Sequence, residues 1–547
     1  MNRVVSCLSI AFLLPVMWAQ GQSGKLPSVK QPVFRKDSVF ITSYGAKADG
    51  VTLNTKAINS AIAAASKKGG GVVVIPAGFW LTGPVELKSN VNLHLRPNSV
   101  LQFTADKSQY PLVASNWEGL PQMRNQSPLW AMNAVNIAIT GSGIIDGNGQ
   151  AWRMVKKDKL TESQWKKLVS SGGVLSEDKK TWYPSEQMQA GSKLKNPGEI
   201  RADKSPEFYE SIKDFLRPNL LVFTSCKKIL LEGVTFQNSP AWCLHPLMSE
   251  DLTVRNVHVK NPWYAQNGDG IDVESCKNVL IENSVFDVGD DGICIKSGRD
   301  EAGRKRAMPT ENVIVRNCTV YAAHGGFVIG SEMSGGARNL YVDNCTFVGT
   351  DIGLRFKTTR GRGGIVENIF ITNIAMKDIV GEAILFDMYY AAQDPVPLAG
   401  EKREPPKVEA LPVSEATPQF RNFRIRNVVC NGAEKAIFVR GLPEMNVKDI
   451  IMEDMVLQAN KGLDMTEGSG ITLRNVKLIT KEINPVMNIH NSRNIVLNKI
   501  GYSSADLLLN VSGEKSSGIA VTATDASNAK KGVELSFGAK EDAVKMN

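Results

Sequence analysis

The sequence contains few of the residues from which disulfide frameworks and metal sites are usually built. Among its 547 residues there are five histidines and eight cysteines. No two cysteines form a CxxC pair, which disfavours a cysteine-based zinc site. Cys7 lies in the N-terminal segment. The other seven cysteines are an odd number spread widely over the chain, which is not typical of a disulfide framework.

The sequence also lacks blocks of positive charge, although it is basic overall. The formal net charge is +9, to which Arg3 in the N-terminal segment contributes one charge. No run of five or six consecutive basic residues occurs, so a nucleic-acid-binding arm is not indicated. The excess of positive charge favours an anionic partner, and for an exported protein this includes an acidic polysaccharide.

Long apolar runs are scarce, and only the N-terminus carries a sustained one. Residues 4–16 are mostly apolar and follow Arg3, and Ala19 offers a small residue for cleavage. No other run approaches the ~18 apolar residues of a membrane helix. We interpret residues 1–20 as a signal peptide. We expect a protein without a membrane span that is exported to the periplasm or secreted.

A repeated phrase organises the rest of the chain. Each copy is a short segment of alternating apolar and polar residues, followed by Asn or Asp and then by a second alternating segment. The central Asn residues of five copies stand at positions 256, 283, 317, 344 and 373, so the period is 27 to 34 residues. Period-2 strands that recur without intervening helices predict a β-solenoid, whose coils stack at ~4.8 Å. The copies occupy residues 251–259, 278–286, 312–320, 339–347, 368–376, 422–430, 449–457, 470–478 and 494–502.

The recurrent Asn is interpreted as structural rather than functional. Asn tolerates left-handed bends, and stacked Asn side chains can hydrogen-bond along the coil axis. Cys318 and Cys345 follow this Asn at the same repeat position, so they are expected to be buried apolar thiols.

We predict a single domain over residues 21–547, with a capping helix at its start and two loop insertions. Residues 55–68 have helical spacing, and an amphipathic helix can cover the first coil of a solenoid. The polar stretch near residues 151–218 and the proline-rich stretch near 391–418 are predicted to be loop insertions.

The stretch NGDGIDVESCKNVLIENSVFDVGDDGICIKSG, residues 267–298, carries three notable carboxylates. Asp269 is followed 21 residues later by Asp290 and Asp291. This separation is one coil, so the three side chains are expected to lie a few ångströms apart. Close carboxylates push their pKa values apart, which provides an acid and a base at one pH. The alternative is calcium binding or turn capping, but DVGDDG lacks the spacing and terminal Glu of an EF-hand.

The next coils add a histidine and two cations. His324 follows Asp290 by one coil with a longer loop, and Arg355 and Lys357 lie on the coil after that. Strand residues two apart point the same way, so both cations face the acids. Such a pair suits an anionic substrate, and a salt-bridge ladder is the alternative.

In these motifs the sequence resembles glycoside hydrolase family 28, the polygalacturonases. The motifs are NGD at 267–269, GDD at 289–291, AHGG at 323–326 and RFK at 355–357, in the family's order. The likeness covers roughly residues 37 to 500. The family's late tyrosine best matches Tyr390, with Tyr389 as the other candidate. Ala323 departs from the Gly often found there. The resemblance implies an all-β, right-handed parallel β-helix.

The resemblance also implies a role for each residue. Asp290 would be the general acid, while Asp269 and Asp291 would activate the attacking water, so that configuration is inverted. His324 would tune the acid. The residues implied to bind the substrate, a pectin or galacturonan chain, are Asn267, Arg355, Lys357 and Tyr390. No metal or cofactor is implied.

Other functions remain open at this stage. A rhamnogalacturonan hydrolase is the nearest rival, and a non-catalytic carbohydrate-binding solenoid and a calcium-dependent pectate lyase are alternatives of other classes. The insertions, together with a basic loop at residues 299–306, predict a groove that is closed at one end. We therefore expect release of short products from a chain end. The oligomeric state is not indicated.

Overall fold

The computed structural model describes residues 26–392 and 406–547. The predicted signal peptide and residues 393–405 of the second insertion lie outside the described residues. No helix in the described ranges has the length and the apolar composition needed to cross a membrane.

Two large sheets form the body of the molecule, and all strand pairs within them are parallel. The first sheet has 14 strands. Arg355 and Lys357 lie in one of them, and the aspartates lie just before two others. Its strands are Val85–Glu86, Leu129–Met132, Leu221–Thr224, Leu244–Leu247, Ile271–Glu274, Ile293–Lys296, Phe327–Ile329, Leu354–Lys357, Glu382–Asp387, Lys435–Arg440, Lys461–Thr466, Met487–His490, Ala505–Ser512 and Ala529–Ser536.

The second sheet has 24 strands and bends along its length. Its strands are Ser38–Phe40, Asp49–Leu53, Gly71–Ile75, Gly78–Thr82, Val91–Leu95, Ser99–Phe103, Val135–Gly141, Ile144–Asp146, Lys227–Glu232, Thr235–Gln237, Glu250–Arg255, His258–Lys260, Lys277–Glu282, Val285–Asp287, Thr310–Arg316, Thr319–Tyr321, Ala337–Val348, Ile365–Lys377, Gln419–Asn431, Val447–Ala459, Gly468–Thr480, Arg493–Tyr502, Ser517–Thr522 and Val544–Met546.

Each coil pairs with the coil before it and the coil after it. The strand Ile271–Glu274 pairs with Leu244–Leu247 on one side and with Ile293–Lys296 on the other. Alternate apolar side chains of both sheets point inward and form one continuous core. The chain is therefore a right-handed parallel β-helix, and the all-β solenoid prediction is confirmed.

The recurrent asparagines lie at the bends between strands. Asn256, Asn283 and Asn317 have φ of 53°, 51° and 55°, a left-handed conformation that Asn adopts more readily than most residues. Their amides also form ladders, since Asn344 Nδ2 donates to Asn317 Oδ1 at 2.8 Å and Asn317 Nδ2 donates to Asn283 Oδ1 at 3.0 Å. Cys318 and Cys345 are both buried.

The predicted cap is the helix Thr55–Lys67, which ends one residue before the predicted end. Its buried face packs into the core and contains Ile58, Ala61, Ile62 and Ala65. The remaining α-helices are Glu162–Ser170, Glu186–Ser192, Pro206–Ser211 and Asp300–Arg306. The 3-10 helices are Ile41–Tyr44, Lys107–Gln109, Gly149–Ala151, Lys157–Lys159, Lys213–Phe215 and Glu541–Ala543.

Two additions stand outside the coils. Residues 151–218 contain three of these α-helices and a small antiparallel sheet of Val155–Lys156, Val174–Leu175 and Thr181–Tyr183. The second addition is an antiparallel hairpin at residues 112–125, built from Leu112–Trp117 and Leu120–Asn125. We call it the hairpin below. The two additions pack together, since Met123 N donates to Gly198 O at 2.8 Å.

Candidate active site

The three aspartates lie together in the bends just before two strands of the 14-stranded sheet, Ile271–Glu274 and Ile293–Lys296. Asp269 and Asp291 occupy equivalent positions on neighbouring coils, because Gly270 N donates to Asp291 O at 2.9 Å and Ile271 pairs with Ile293. One carboxylate oxygen of each of Asp269, Asp290 and Asp291 lies within 4.8 Å of the others. The 21-residue spacing therefore brings the three carboxylates together, as expected.

The environments of Asp269 and Asp291 differ in charge. Burial raises the pKa of Asp269 well above its usual value, and the nearby Asp272 and Asp290 carboxyls raise it further. Burial alone would also raise the pKa of Asp291, but Lys357 and Arg355 outweigh it and hold that pKa well below its ordinary value. At neutral pH, Asp291 is thus firmly anionic, while Asp269 retains a proton more readily.

His324 contacts Asp290 from the next coil. Its Nδ1 lies 3.1 Å from Asp290 Oδ1, and its Nε2 lies 3.6 Å from Asp351 Oδ2. The hydrogen bond to Asp290 raises the pKa of His324, although partial burial opposes this shift. His324 N also donates to Asp290 O at 3.0 Å, so the main chain fixes the pair in register.

Arg355 and Lys357 face the aspartates, as their spacing predicts. Lys357 Nζ lies 2.7 Å from Asp291 Oδ2, and Arg355 Nη1 lies 3.1 Å from Asp291 Oδ1. Tyr390 lies beside them, with Lys357 Nζ 4.9 Å and the Arg355 guanidinium 5.8 Å from its ring centre. Tyr389 is instead buried in the core, so the structure brings Tyr390 to the site.

Asn267 reaches the same site through the bend before Asp269. Its φ is 53°, and its Oδ1 accepts a hydrogen bond from Arg217 Nη2 at 2.9 Å. Arg217 also donates to the carbonyls of Pro240 and Gln266. No sequence motif indicates Arg217, which stands 50 positions before Asn267 at the end of the first insertion.

Sequence reasoning also missed a buried ion-pair group beside the aspartates. Lys296 Nζ lies 3.0 Å from Glu332 Oε2 and 3.6 Å from Asp272 Oδ1. Burial raises the pKa of Asp272 well above its usual value, although the charge of Lys296 lowers it. The strands IDVE and ICIK alternate charged or polar residues with core residues, and this alternation was the available signal.

The carboxylate trio is also the kind of oxygen set that binds a cation. One member of the trio, Asp291, is however already paired with two cations, Lys357 and Arg355. A divalent ion would have to compete with these two fixed charges. The arrangement therefore favours acid–base chemistry over a metal site.

Two family descriptions match the chain. Residues 210–401 match Glycosyl hydrolases family 28. Residues 38–196 match Rhamnogalacturonase A/epimerase, pectate lyase-like. The first range contains all of the aspartates, cations and histidine described above.

Related proteins match over most of the chain. A probable polygalacturonase of Vitis vinifera is 30% identical over 393 residues, which are 69% of this chain and 69% of that protein. An exo-poly-alpha-D-galacturonosidase of Dickeya chrysanthemi is 30% identical over 414 residues, which are 74% of this chain and 64% of that protein.

A solved structure matches the fold as well. A hyperthermoactive exopolygalacturonase from Thermotoga maritima is 31% identical, with a TM-score of 0.64, over 86% of this chain and 94% of that chain. A family 28 exopolygalacturonase of Yersinia enterocolitica shares the fold at 22% identity, with a TM-score of 0.60, over 87% of this chain and 78% of that chain.

Proposed function

The chain belongs to glycosyl hydrolases family 28, and from this premise we propose that it hydrolyses the α-1,4-galacturonosidic bonds of polygalacturonate from a chain end, with inversion of configuration. The observation that carries the proposal is the carboxylate trio. Its members each have a carboxylate oxygen within 4.8 Å of the others, and the pKa values of Asp269 and Asp291 are shifted in opposite directions. Two carboxyl groups with separated pKa values are what acid–base hydrolysis of a glycoside requires.

Asp290 is the proposed general acid. It is the most exposed of the three aspartates, with 21% of its side chain exposed, and it contacts His324 at 3.1 Å. It would give its proton to the glycosidic oxygen as the bond between that oxygen and the anomeric carbon breaks. His324, held by Asp290 and Asp351, would fix the orientation of the acid.

Asp269 and Asp291 are the proposed partners of the attacking water. The water oxygen would form the new bond to the anomeric carbon, and a water proton would pass to a carboxylate. Asp269 is the stronger base of the two once it is ionised, because burial raises its pKa whereas Lys357 and Arg355 lower that of Asp291. Asp291, kept anionic by Lys357 and Arg355, would hold the water and stabilise the positive charge that develops on the sugar.

The spacing of the acids is shorter than inverting enzymes usually show. Inverting pairs generally stand about 6.5–9.5 Å apart, whereas these oxygens lie within 4.8 Å of one another. Three carboxylates that share one water account for the shorter distance in this proposal.

Arg355 and Lys357 are the proposed binding site for a substrate carboxylate. They carry two positive charges against the single charge of Asp291. One positive charge therefore remains to attract an anionic sugar, and the Tyr390 ring borders the same space. The predicted export of the chain fits a polymeric substrate outside the cytoplasm.

Product analysis tests this function. We expect the protein to release mono- or disaccharide from polygalacturonate, with little early loss of viscosity. Activity should survive EDTA, and the products should lack the ultraviolet absorbance of an unsaturated ring. Calcium dependence together with that absorbance would contradict hydrolysis and indicate a lyase.

A second candidate is hydrolysis of rhamnogalacturonan. The match of residues 38–196 to Rhamnogalacturonase A/epimerase, pectate lyase-like favours it. The two cations beside the aspartates favour a galacturonate next to the cleaved bond. Parallel digestion of polygalacturonate and rhamnogalacturonan separates the two, since the better substrate has the higher kcat/KM.

A further inference from the structure

The hairpin covers the row of aspartates on the side of the earlier coils. Cys243 N donates to Asp269 O at 2.9 Å, so Trp242 stands next to Asp269 in this row, one coil earlier. The Trp242 ring stacks on Trp117 of the hairpin, with ring centres 5.8 Å apart and planes 12° apart. Both rings are buried. A groove along the row is therefore covered about one coil spacing, ~4.8 Å, beyond Asp269.

The tip of the hairpin is fixed against the coil that carries Asp290 and Asp291. Arg299 N donates to Gly119 O at 3.3 Å, and Arg299 Nη1 lies 3.3 Å from Glu118 Oε2. A Cβ atom at Gly119 would lie 2.6 Å from Arg299 N, and φ is +78° there, so only glycine suits this close approach. The hairpin is thus held as a wall.

This wall carries a buried cation, Arg124, that makes no direct ion pair with any described residue. The Arg124 guanidinium carbon lies 3.4 Å from the centre of the Trp117 ring, and only 5% of the residue is exposed. Its Nε is buried without a hydrogen-bond partner. Within the described ranges the Arg124 side chain forms no ion pair, and the acid nearest in sequence, Glu118, pairs with Arg299.

A second cation increases the positive potential of the wall. Arg217 lies 6.0 Å from the same Trp117 ring and binds Asn267 of the site. Burial lowers the pKa of Arg124, and the charge of Arg217 lowers it further, while the Glu118 carboxylate offsets only part of this shift. An unpaired buried charge is unfavourable unless a partner compensates it. Binding of an anion beside Arg124 would compensate this charge.

We propose that the hairpin is the end wall of the substrate groove, and that Arg124 receives the carboxylate of the terminal uronate unit. This inference rests on the proposed function and adds a second carboxylate site, on the opposite side of the aspartates from Arg355 and Lys357. The terminal sugar would stop at the Trp117–Trp242 stack. The bond to be cut would then lie between the two carboxylate sites.

The test compares trigalacturonate with the same oligomer methyl-esterified on its terminal unit. Wild type should show a kcat/KM at least tenfold higher on the acid. Arg124→Gln should lose at least tenfold on the acid, mainly through KM, and change less than twofold on the ester. Arg124→Lys should retain part of the preference, because it keeps the charge without the planar fork.

A control and a folding measurement complete the design. Arg338→Gln removes an arginine that pairs with Glu311 on the other sheet at 2.7 Å, and it should leave the preference unchanged. The Tm of Arg124→Gln should equal or exceed that of wild type, because an unpaired buried charge is removed. Equal losses on both oligomers, or a lower Tm with an unchanged preference, would overturn the proposal.

A binding measurement tests the role of Arg124 independently of catalysis. Calorimetry with D-galacturonate and D-galactose is performed in the Lys357→Ala background, which weakens the other carboxylate site. The charged sugar should bind at least tenfold more tightly, and Arg124→Gln should remove the difference. If wild type fails to cleave polygalacturonate, the proposed function fails, and this binding difference still decides the role of Arg124.

Discussion

At the scale of single residues, the coil position of an aspartate determines where its side chain lies, and the neighbouring charges determine its pKa. Asp269 and Asp291 are equivalent in the coil register, yet their pKa values shift in opposite directions. The difference arises from neighbours on later coils, because Lys357 and Arg355 contact only Asp291 of this pair. A repeated backbone thus provides chemically different carboxylates at equivalent positions.

Asp290→Asn tests the acid. The amide keeps the shape of the side chain but has no proton to transfer, so the kcat on polygalacturonate should fall by about 10²–10⁴. The Tm should change little, since the amide oxygen of Asn can still make the contacts that Asp290 Oδ1 makes with Asp291 N and His324 Nδ1. A loss of only a few-fold, with an unchanged Tm, would assign the acid to another residue.

Lys357→Gln tests the control of the Asp291 pKa. Lys357 favours the ionised form of Asp291, so its removal should raise that pKa towards the usual value, while Arg355 and Lys296 still lower it. The acid limb of the kcat/KM profile should therefore move to higher pH, and KM should rise because a substrate contact is lost. Breaking this buried pair should also lower stability by about 3–5 kcal/mol.

The control for this measurement is Lys277→Gln. Lys277 lies on the other sheet and pairs with Glu311 at 3.1 Å. Its loss should leave the acid limb in place. An acid limb that stays at the wild-type pH in Lys357→Gln would show that Asp291 does not need to be ionised for activity.

The site residues that lie in short motifs can be predicted from the sequence, because residues separated by one coil are neighbours in space. This spacing therefore brings Asp269, Asp290 and His324 together. The sequence does not predict Arg124 or Arg217, because the hairpin and the first insertion bring them to the site from outside the coil register. The Lys296–Glu332 pair follows the coil register, with its members 36 positions apart, but it is not predicted because Glu332 lies outside the short motifs.

At the scale of elements, the bend between two strands is held by one residue type. Asn317 adopts φ of 55°, donates to Asn283 and accepts from Asn344. Both the conformation and the ladder depend on this side chain. The repeat could therefore be predicted from the sequence at single-residue register.

Asn317→Gly and Asn317→Ala separate these two contributions. Both lose the ladder hydrogen bonds, each worth about 0.5–1.5 kcal/mol. Ala also pays the left-handed strain of about 1–2 kcal/mol, which Gly avoids. We expect Asn317→Ala to lower the free energy of unfolding more than Asn317→Gly, as measured by denaturant titration. Equal destabilisation would show that the bend conformation is not the determinant.

Other elements were less predictable because they do not follow the repeat. The cap helix was predicted within one residue, since its apolar spacing is regular. The interior of residues 151–218 was predicted only as an insertion, yet it contains helices and a small sheet with their own contacts. The hairpin was not predicted, although its Glu118-Gly119 turn lies between two alternating segments.

At the scale of the whole molecule, the additions lie on the side of the groove that the hairpin closes. The positive charge of the loop at residues 299–306 is largely neutralised by acids elsewhere in the chain, because Arg306 pairs with Glu274 and Arg304 with Glu415. The role of this loop in the closed groove is to anchor the hairpin tip through Arg299. We therefore ascribe cleavage from a chain end to the hairpin and to the insertion at residues 151–218, which packs behind it, because together they close one end of the groove.

Opening this wall should change the mode of attack. Trp117→Ala removes one ring of the Trp117–Trp242 stack, and replacing residues 113–124 with a short Gly-Ser linker removes the wall itself. A polymer could then pass beyond Asp269 and be cut within the chain. We expect viscosity to fall faster per bond cleaved, more strongly for the linker variant than for Trp117→Ala, and longer products to appear early.

The matched control for the aromatic change is Phe370→Ala. Phe370 stacks on Tyr341 on the other sheet, with ring centres 5.3 Å apart and planes 10° apart. It loses a comparable contact away from the groove, so its product pattern should stay that of wild type. Assays are run below the lowest Tm of the set, because loss of a buried aromatic ring costs about 3–5 kcal/mol. If the linker variant still releases only mono- or disaccharide, the groove is closed elsewhere and the hairpin is not the end wall.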